Sequence, residues 1–391
     1  MGCARSIWNA KVEEERYYRT YARKYCTIGT YAPIDQTTSQ FKSKELSPWL
    51  SECPSQILRN SAVNWYQTYQ KFMSGKCGRP KRKPKTDKGS IYLTREVFRF
   101  DHCDDGNVRL FIGTKTNNIG YLSFKAHGKF EIPNSLYVRK ERGHYYVSFC
   151  YEQGQPDRKL STNEEHLAFL QGATREYLEE HTMGVDRGVA IPVCAGEQTY
   201  DFTHSQKKNM SKADRYIKRL QRKLARQQKG SNRRAKTKHR IAVHHAKKAN
   251  IRNDFAHKTS RLLVDSSAKI IVFEALRTAR MTRRPKAKQD EQGRFISNKA
   301  KQKAGLNKSI LNVGWHVIET YTYYKAYSSS KAVFKIPAPT TSQECAKCGH
   351  THPDNRKTQA LFVCGNCGNT DNADHNASLV MAFEAQWNGK P

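Results

Sequence analysis

The 391-residue sequence lacks any apolar run of about 18 residues or more, so it predicts no helix that spans a membrane. Its first residues, MGCARSIWNAKVEEE, also lack the apolar core of a secretory signal peptide. We therefore expect a cytoplasmic protein with no membrane partner.

Acidic residues are scarce relative to basic ones. The chain has 35 Asp and Glu against 69 Lys and Arg, which gives a formal net charge of +34 at pH 7. Unbalanced charge of this size indicates an anionic partner, and nucleic acid is the commonest such partner. Ribosomal-type, histone-type and peripheral membrane proteins share the same bias, so composition alone does not choose among them.

Seven of the 11 cysteines have no shared spacing and, without a secretion signal, predict free thiols rather than disulfides. The other four form two Cys-x-x-Cys pairs, each followed by glycine and separated by fifteen residues: Cys345, Cys348, Cys364 and Cys367. Two such turns on neighbouring hairpins supply the tetrahedral thiolates of a zinc ribbon. His350 and His352 lie between the pairs, and either could replace a cysteine as ligand.

The pattern of apolar residues changes along the chain and predicts several domains. Helical spacing dominates at the start, and short apolar-aromatic runs from Ser90 to Glu152 predict the strands of a compact β-barrel. A polar linker with a short helix follows, and then a basic, turn-rich loop at 277–304 interrupts an α/β pattern. The predicted boundaries are 1–88 (helical), 89–158 (barrel), 159–180 (linker and short helix) and 181–391 (α/β).

Three acidic residues stand at the ends of elements that we predict to be buried. Asp186 ends or follows a first strand, Glu274 ends the strand predicted within the apolar run Lys269–Leu276, and Asp374 opens the last helix. A strand hairpin, a helix, a strand and a closing helix form the order of an RNase H-like α/β fold. Carboxylates that converge from distant segments suit two hard cations such as Mg²⁺. Taken alone, Glu274 is equally expected as a residue that emerges at the end of its strand, and an Asp such as Asp186 at a strand end is common.

Two basic segments are candidate contacts for nucleic-acid backbones. The first is the proline-broken run 78–85, and the second is 207–248, which holds 17 Lys and Arg against one acid, Asp214. A solvated basic helix is the alternative for the second segment. The candidate residues are Arg79, Lys81, Arg82, Lys83, Lys85, Lys207, Lys208, Arg215, Arg219, Arg222, Arg226, Arg233 and Arg234.

Together these motifs resemble the TnpB family of RNA-guided nucleases, which insertion sequences encode and which are related to type V CRISPR effectors. The resemblance rests on GVDRGVA around Asp186, IIVFEAL around Glu274, and CGNCGNTDNADHNAS, which joins the second cysteine pair to Asp374. It implies a RuvC-type, RNase H-like nuclease domain with a zinc ribbon inserted at 340–370. It also implies a β-barrel wedge domain and a small helical recognition domain, here with the first barrel strand missing.

The resemblance further implies an RNA-guided DNA endonuclease that acts with a transposable element. Asp186, Glu274 and Asp374 would be its catalytic, Mg²⁺-binding acids, the four cysteines would hold structural Zn²⁺, and Asn376 also matches the motif. Guide RNA and double-stranded target DNA would be its partners in the prokaryotic nucleoid, and the loop 277–304 would be a lid. Two alternatives stay open: a nuclease-inactive RNA-guided repressor, and a zinc-ribbon DNA-binding accessory protein of transposition without guide RNA.

Overall fold

The computed structural model describes residues 1–25, 37–85, 88–102, 107–126, 130–141, 143–151, 162–337, 340–358 and 360–388. The chain divides into two compact units, Met1–Pro156 and Asp157–Pro391. Residues 152–161, which include the end of the predicted barrel and the first residues of the predicted linker, lie outside the described residues. No helix in the described ranges is long and apolar enough to cross a membrane.

The first unit combines helices with two three-stranded antiparallel sheets. Its helices are α1 (Gly2–Tyr17), a π-helical turn (Tyr18–Ala22), α2 (Arg23–Tyr25) and α3 (Ser55–Met73), with 3-10 turns at Ser39–Phe41 and Pro48–Leu50. Its strands are β1 (Gly89–Thr94), β2 (Phe98–His102), β3 (Asn107–Gly113), β4 (Asn118–Lys125), β5 (Ser135–Glu141) and β6 (His144–Ser148). The sheet orders are β1-β5-β6 and β2-β3-β4.

One hydrophobic core joins the helices and strands of this unit. Ile7 of α1, Leu58 of α3, Leu93 of β1, Leu110 of β3 and Leu136 of β5 are almost fully buried in the same cluster. The predicted boundary at residue 88 therefore falls inside one compact unit. The barrel assignment remains a prediction.

The apolar-aromatic run 91–100 forms two strands in different sheets, because a 3-10 turn at Arg95–Val97 separates them. Successive side chains of a continuous strand point to opposite faces. Here the neighbours Val97 and Phe98 are both buried, and the turn allows both to enter the core.

The second unit holds the remaining elements. Its helices are α4 (Asn163–Gly172), α5 (Arg175–His181), α6 (His204–Ala225), α7 (Asn232–Asp265), α8 (Thr278–Met281), α9 (Ala300–Val313), α10 (Trp315–Ser328) and α11 (Ala373–Asn388). Its strands are β7 (Thr182–Asp186), β8 (Val193–Ala195), β9 (Gln198–Tyr200), β10 (Ile270–Glu274), β11 (Lys288–Gln289), β12 (Phe295–Ile296), β13 (Ala332–Ile336), β14 (Leu361–Val363) and β15 (Thr370–Asn372).

The central sheet of this unit has the order β13-β10-β7-β8-β9. Strands β13, β10 and β7 run parallel to one another, β8 runs antiparallel to β7, and β9 runs antiparallel to β8. Ile271 and Phe273 of β10 pack into the core with α7 and α10, whereas Ile270 and Val272 pack into the core with α11. Helices cover both faces of the strand, which explains why its sequence is continuously apolar rather than alternating.

The segment Ser309–Tyr327 belongs to two helices, because Gly314 takes a left-handed conformation with φ 80° between α9 and α10. The loop expected over 277–304 instead contains α8, the β11–β12 hairpin and the first turn of α9.

The close approach of α11 to β7 depends on Gly184. A Cβ at this position would lie 1.9 Å from the carbonyl oxygen of Ser378 and 2.9 Å from the Cβ of Met381. Helix and strand are thus in backbone contact, and no residue with a side chain fits between them.

We expect Gly184→Ala to lower the stability of the second unit by about 3 kcal/mol or more, because α11 has to move away from the sheet. Gly305→Ala is the matched control. Gly305 lies in α9 with nothing within 4 Å of a built Cβ, so alanine there should raise stability by about 0.5–1 kcal/mol. Thermal unfolding of both variants beside the parent measures the difference, and an unchanged transition in Gly184→Ala would contradict the close contact.

Candidate active site and metal centre

The fold brings the three predicted acids to one edge of the central sheet. Asp186 is the last residue of β7 and Glu274 the last of β10. These strands run parallel, with Val185 opposite Phe273, so the two carboxylates leave the sheet side by side. Asp374 comes from the first turn of α11, which crosses β7 at Gly184.

The backbone after Asp186 also lies close to Asp374. A Cβ built on Gly188 would be 3.9 Å from Asp374 Oδ2 and 2.7 Å from the carbonyl oxygen of Ile191. Trp315 Nε1 donates to the Gly188 carbonyl at 3.0 Å and so holds this turn in place. Gly188, the second glycine of the GVDRG motif, therefore allows a tight turn beside the carboxylates.

The acids repel one another in a buried setting. Burial raises the pKa of Asp186 to about 7, and the negative charges of Glu274 and Asp374 contribute to the rise. Burial also raises the pKa of Asp374, although Arg356 opposes the change. Cys194 of β8, opposite Asp186, has its pKa raised to about 11 by burial and by the negative charges of Asp186, Asp374 and Asp371. This edge of the sheet carries negative charge that a cation would neutralise.

Hydrogen bonds fix the orientation of each acid. Asp186 Oδ1 accepts from the backbone N–H of Arg187 at 2.7 Å, and Glu274 Oε1 accepts from the buried Thr341 hydroxyl at 2.6 Å. Asn372 Oδ1 accepts from the backbone N–H of Asp374 at 2.9 Å and so caps α11. Sequence reasoning missed Thr341 and Asn372, although an Asn two residues before the predicted helix start is a recognisable cap signal.

A buried arginine ties the two acid-bearing strands together. The Arg187 side chain is 2% exposed and donates from one Nη to Glu319 Oε2 at 2.7 Å and from the other to the Glu274 carbonyl at 2.5 Å. Glu319 of α10 also pairs with Lys335 of β13. Burial alone would raise the pKa of Glu319, but the hydrogen bonds from Lys335 and Arg187 outweigh it and lower that pKa. The sequence analysis did not predict these hydrogen bonds of Arg187.

The four cysteines form a metal-ligand group. Their Sγ atoms all lie within 4.8 Å of one another, with Cys345 and Cys367 at 3.7 Å and Cys348 and Cys364 at 3.6 Å. Sulfurs around a tetrahedral Zn²⁺ with bonds of ~2.3 Å are about 3.8 Å apart, so the group fits that ion. His350 and His352 are not part of this group.

The glycine after each cysteine pair forms a tight turn. Gly349 and Gly368 adopt left-handed conformations with φ 69° and 71°. The backbone N–H of Cys367 donates to Cys364 Sγ at 3.5 Å. That hydrogen bond is the largest cause that lowers the pKa of Cys364 to about 6, which favours the metal-binding thiolate.

The cysteine-bearing segment is bonded directly to the start of α11. Asn376 is fully buried, accepts from the Ala346 backbone N–H at 3.0 Å and donates to the Glu344 carbonyl at 2.7 Å. Arg356 Nη2 lies 3.5 Å from Asp374 Oδ1. Asn376 thus acquires a role that the motif alone left open, because it fixes the first turn of the helix that carries Asp374.

The predicted nucleic-acid contacts divide by their surroundings. Six of them are exposed on α6, at its C-cap or in the first turn of α7: Lys208, Arg215, Arg219, Arg222, Arg226 and Arg233. Lys207 is exposed but pairs with Asp201, and Arg234 is half-buried and donates to the carbonyls of Leu224 and Gln227 at the end of α6. Arg234 therefore has a structural partner that the sequence did not predict.

The basic run in the first unit is extended and bound along α1. Trp8 Nε1 donates to the Lys81 carbonyl at 3.0 Å, and Asn9 exchanges hydrogen bonds with the backbone of Lys83. Lys83 Nζ lies 3.4 Å from the centre of the Trp8 ring, and burial there lowers its pKa. Arg79 and Arg82 approach the acids Glu15 and Glu13. The remaining members, Lys81 and Lys85, are exposed.

Two family models match this sequence. Residues 148–284 match a model described as a probable transposase, and residues 315–381 match the Cas12f1-like TNB domain. The first match includes Asp186 and Glu274, and the second includes the four cysteines and Asp374.

Curated proteins and solved structures give a consistent result. The chain is 28% identical, over 96% of its length and 85% of the other protein, to a putative RNA-guided DNA endonuclease, InsQ, of Escherichia coli strain K12. It is 27% identical to the CRISPR-associated endodeoxyribonuclease Cas12f1 of Sulfoacidibacillus thermotolerans, over 66% of this chain and 54% of that protein. A Cas12f1–sgRNA–target DNA complex superposes with a TM-score of 0.52 at 13% identity, over 97% of this chain and 80% of that one, which shows a shared mixed α/β fold.

We expect the purified protein to contain one zinc ion per chain and the double change Cys345→Ala, Cys348→Ala to remove it, because two thiols cannot complete the tetrahedron. The control is Cys77→Ala, which alters an exposed free cysteine and should leave zinc content unchanged. Elemental analysis of the three proteins decides. Zinc that survives the double change would show that these thiols are not the ligands.

We expect Asp186→Asn to stabilise the protein in buffer without divalent metal. The folded-state pKa is about 7 against an ordinary 3.8, so the parent loses stability as the pH rises through this window and the variant does not. Above pH 7 the variant should be more stable by about 3–4 kcal/mol, and below pH 4 the two should converge. Unfolding measured from pH 4 to pH 8 tests this, with Asp265→Asn as control because Asp265 is exposed and paired with Arg261. A constant difference across the range would contradict the burial of charge.

Proposed function

We propose, from the confirmed resemblance to the TnpB family of insertion-sequence-encoded RNA-guided DNA endonucleases, that this chain is such an endonuclease. One observation carries the proposal: Asp186 and Glu274 end neighbouring parallel strands, and Asp374 stands on the helix packed against the first of them. Three carboxylates from segments far apart in the chain share one site, as phosphodiester hydrolysis with hard cations requires.

We assign the second unit to an RNase H-like, RuvC-type nuclease domain with an inserted zinc ribbon. The mixed sheet, helices on both faces and acids at the carboxyl ends of β7 and β10 support this assignment. Among the described residues the three carboxylates do not form a group as compact as the cysteines. Two ions with bound waters bridge a wider gap than one ion does, so a pair fits this arrangement better.

Carboxylate oxygens are the ligands that Mg²⁺ prefers, and their mutual repulsion here supports a bound cation. When bound, a pair of Mg²⁺ ions would activate water and stabilise the leaving oxygen of the phosphodiester. The chain itself orients the ligands. Thr341 fixes the Glu274 carboxylate, Arg187 holds the ends of β7 and β10 together, and Asn376 fixes the first turn of α11.

The basic surfaces support guide RNA and target DNA as partners. Three exposed arginines of α6 and the one that caps its end form a row that suits phosphate contacts: Arg215, Arg219, Arg222 and Arg226. The extended segment 79–85 in the first unit adds lysines. In such a protein base pairing reads the sequence, and the polypeptide holds the heteroduplex by its backbone. The first unit would supply the helical recognition and β-barrel wedge domains, and the zinc would be structural.

The decisive experiment removes one charge and keeps the shape. Asp374→Asn should abolish guided DNA cleavage in Mg²⁺, with at least about a 100-fold loss of rate, because a metal ligand is lost. RNA binding, guided DNA binding and zinc content should remain, since the amide keeps the size of the side chain. Cleavage, filter binding and elemental analysis on one preparation give the three readouts.

Asp371→Asn is the matched control. Asp371 lies three residues earlier, accepts from the Asn372 backbone N–H and contacts His375 Nδ1 at 2.7 Å, so its carboxylate already has partners. This variant should cut nearly as fast as the parent. An inactive Asp371 variant beside an active Asp374 variant would show that the wrong acid was chosen. Normal cleavage by Asp374→Asn, Asp186→Asn and Asp371→Asn alike would refute the three-acid site.

A further inference from the structure

The segment 277–299, here called the basic arm, joins β10 to α9 and carries eight Lys and Arg against two acids. It leaves β10 three residues after Glu274, so it starts at the edge of the sheet where the acids lie. Asn307 of α9 donates to the Thr282 carbonyl at 2.8 Å and anchors the first part of the arm. The rest extends as the β11–β12 hairpin.

Hydrogen bonds order the hairpin internally. Asp290 Oδ1 accepts from the backbone N–H groups of Gln292 and Arg294 at 3.0 and 2.8 Å, and Gly293 takes φ 76° in the turn. Asn298 donates to the Lys286 carbonyl at 2.7 Å and closes the base of the hairpin. The tip therefore has a defined shape rather than that of a free loop.

This ordered tip presents an aromatic ring to solvent. Phe295 is 76% exposed and its neighbour Ile296 is 48% exposed, whereas the other strongly exposed phenylalanine in the described residues, Phe169, is 54% exposed. Single exposed apolar residues are common on proteins. What distinguishes Phe295 is its combination with a hydrogen-bonded backbone and a dense positive charge.

We propose that Phe295 is a stacking platform for an unpaired base of a nucleic-acid strand, whose phosphates the lysines and arginines of the basic arm contact. An aromatic ring beside basic side chains is the usual combination for single strands, because an unpaired base offers a free π-face. Bases within a duplex already stack on their neighbours, so a duplex satisfies this site less well. The further statement that this strand is the one cut at the acids rests on the proposed function. The stacking of a base on Phe295 does not depend on that function.

The test compares binding of a labelled 12-nucleotide oligothymidine with that of an abasic strand of equal length, by the purified full chain in buffer without Mg²⁺. Phe295→Ala should weaken binding of the oligothymidine by about 5- to 150-fold, the range that one base–aromatic contact contributes. It should leave abasic binding unchanged, because that strand keeps the phosphates and lacks the bases. Phe295→Trp should retain affinity and gain emission that only the oligothymidine quenches.

The control is Phe169→Ala, which removes an exposed ring on α4 and should bind both strands as the parent does. Equal affinity of Phe295→Ala and the parent for oligothymidine, or an equal loss on the abasic strand, would overturn the proposal. A larger loss on a 12-base-pair duplex than on the single strand would also overturn it. A parent that shows base-dependent binding but no guided cleavage would refute the proposed function and leave stacking intact.

Discussion

The backbone contact between α11 and β7 is the constraint on which the site depends. Asp186 and Glu274 become neighbours through strand pairing alone, but Asp374 comes from a helix about a hundred residues further along the chain. Its carboxylate joins them only because Gly184 lets the helix backbone lie against the strand. A missing side chain in the middle of β7 thus decides where an acid on α11 stands.

The contacts around the four-cysteine group explain how a short connection places Asp374 at the site. Only six residues separate Cys367 from Asp374, and β15 and the Asn372 cap use them to turn the chain into α11. Asn376 then joins the helix back to the first cysteine pair through Ala346 and Glu344. Since a zinc ion bound by the four thiols would hold both pairs together, it would fix the start of α11 from a second side.

The sequence was sufficient where a local pattern has one physical solution. The continuous apolar run ending at Glu274 indicated a strand buried on both faces, and the spacing of the cysteines indicated their convergence. The sequence was insufficient where the partner of a residue lies far away along the chain. The Arg187–Glu319 pair spans 132 residues, and charge alone did not separate Arg234, which binds carbonyls at the end of α6, from the exposed arginines beside it.

The same geometry that gathers the acids also costs stability. Three carboxylates at one buried edge repel one another and so oppose folding. The raised pKa of Asp186 reflects this cost in folding free energy. The surrounding contacts offset that cost without neutralising the site, because Arg187 uses its charge on Glu319 and on the Glu274 carbonyl rather than on the carboxylates themselves. Arg356, whose Nη2 lies 3.5 Å from Asp374 Oδ1, offsets part of the negative charge there. The site therefore keeps negative charge that a bound cation would neutralise.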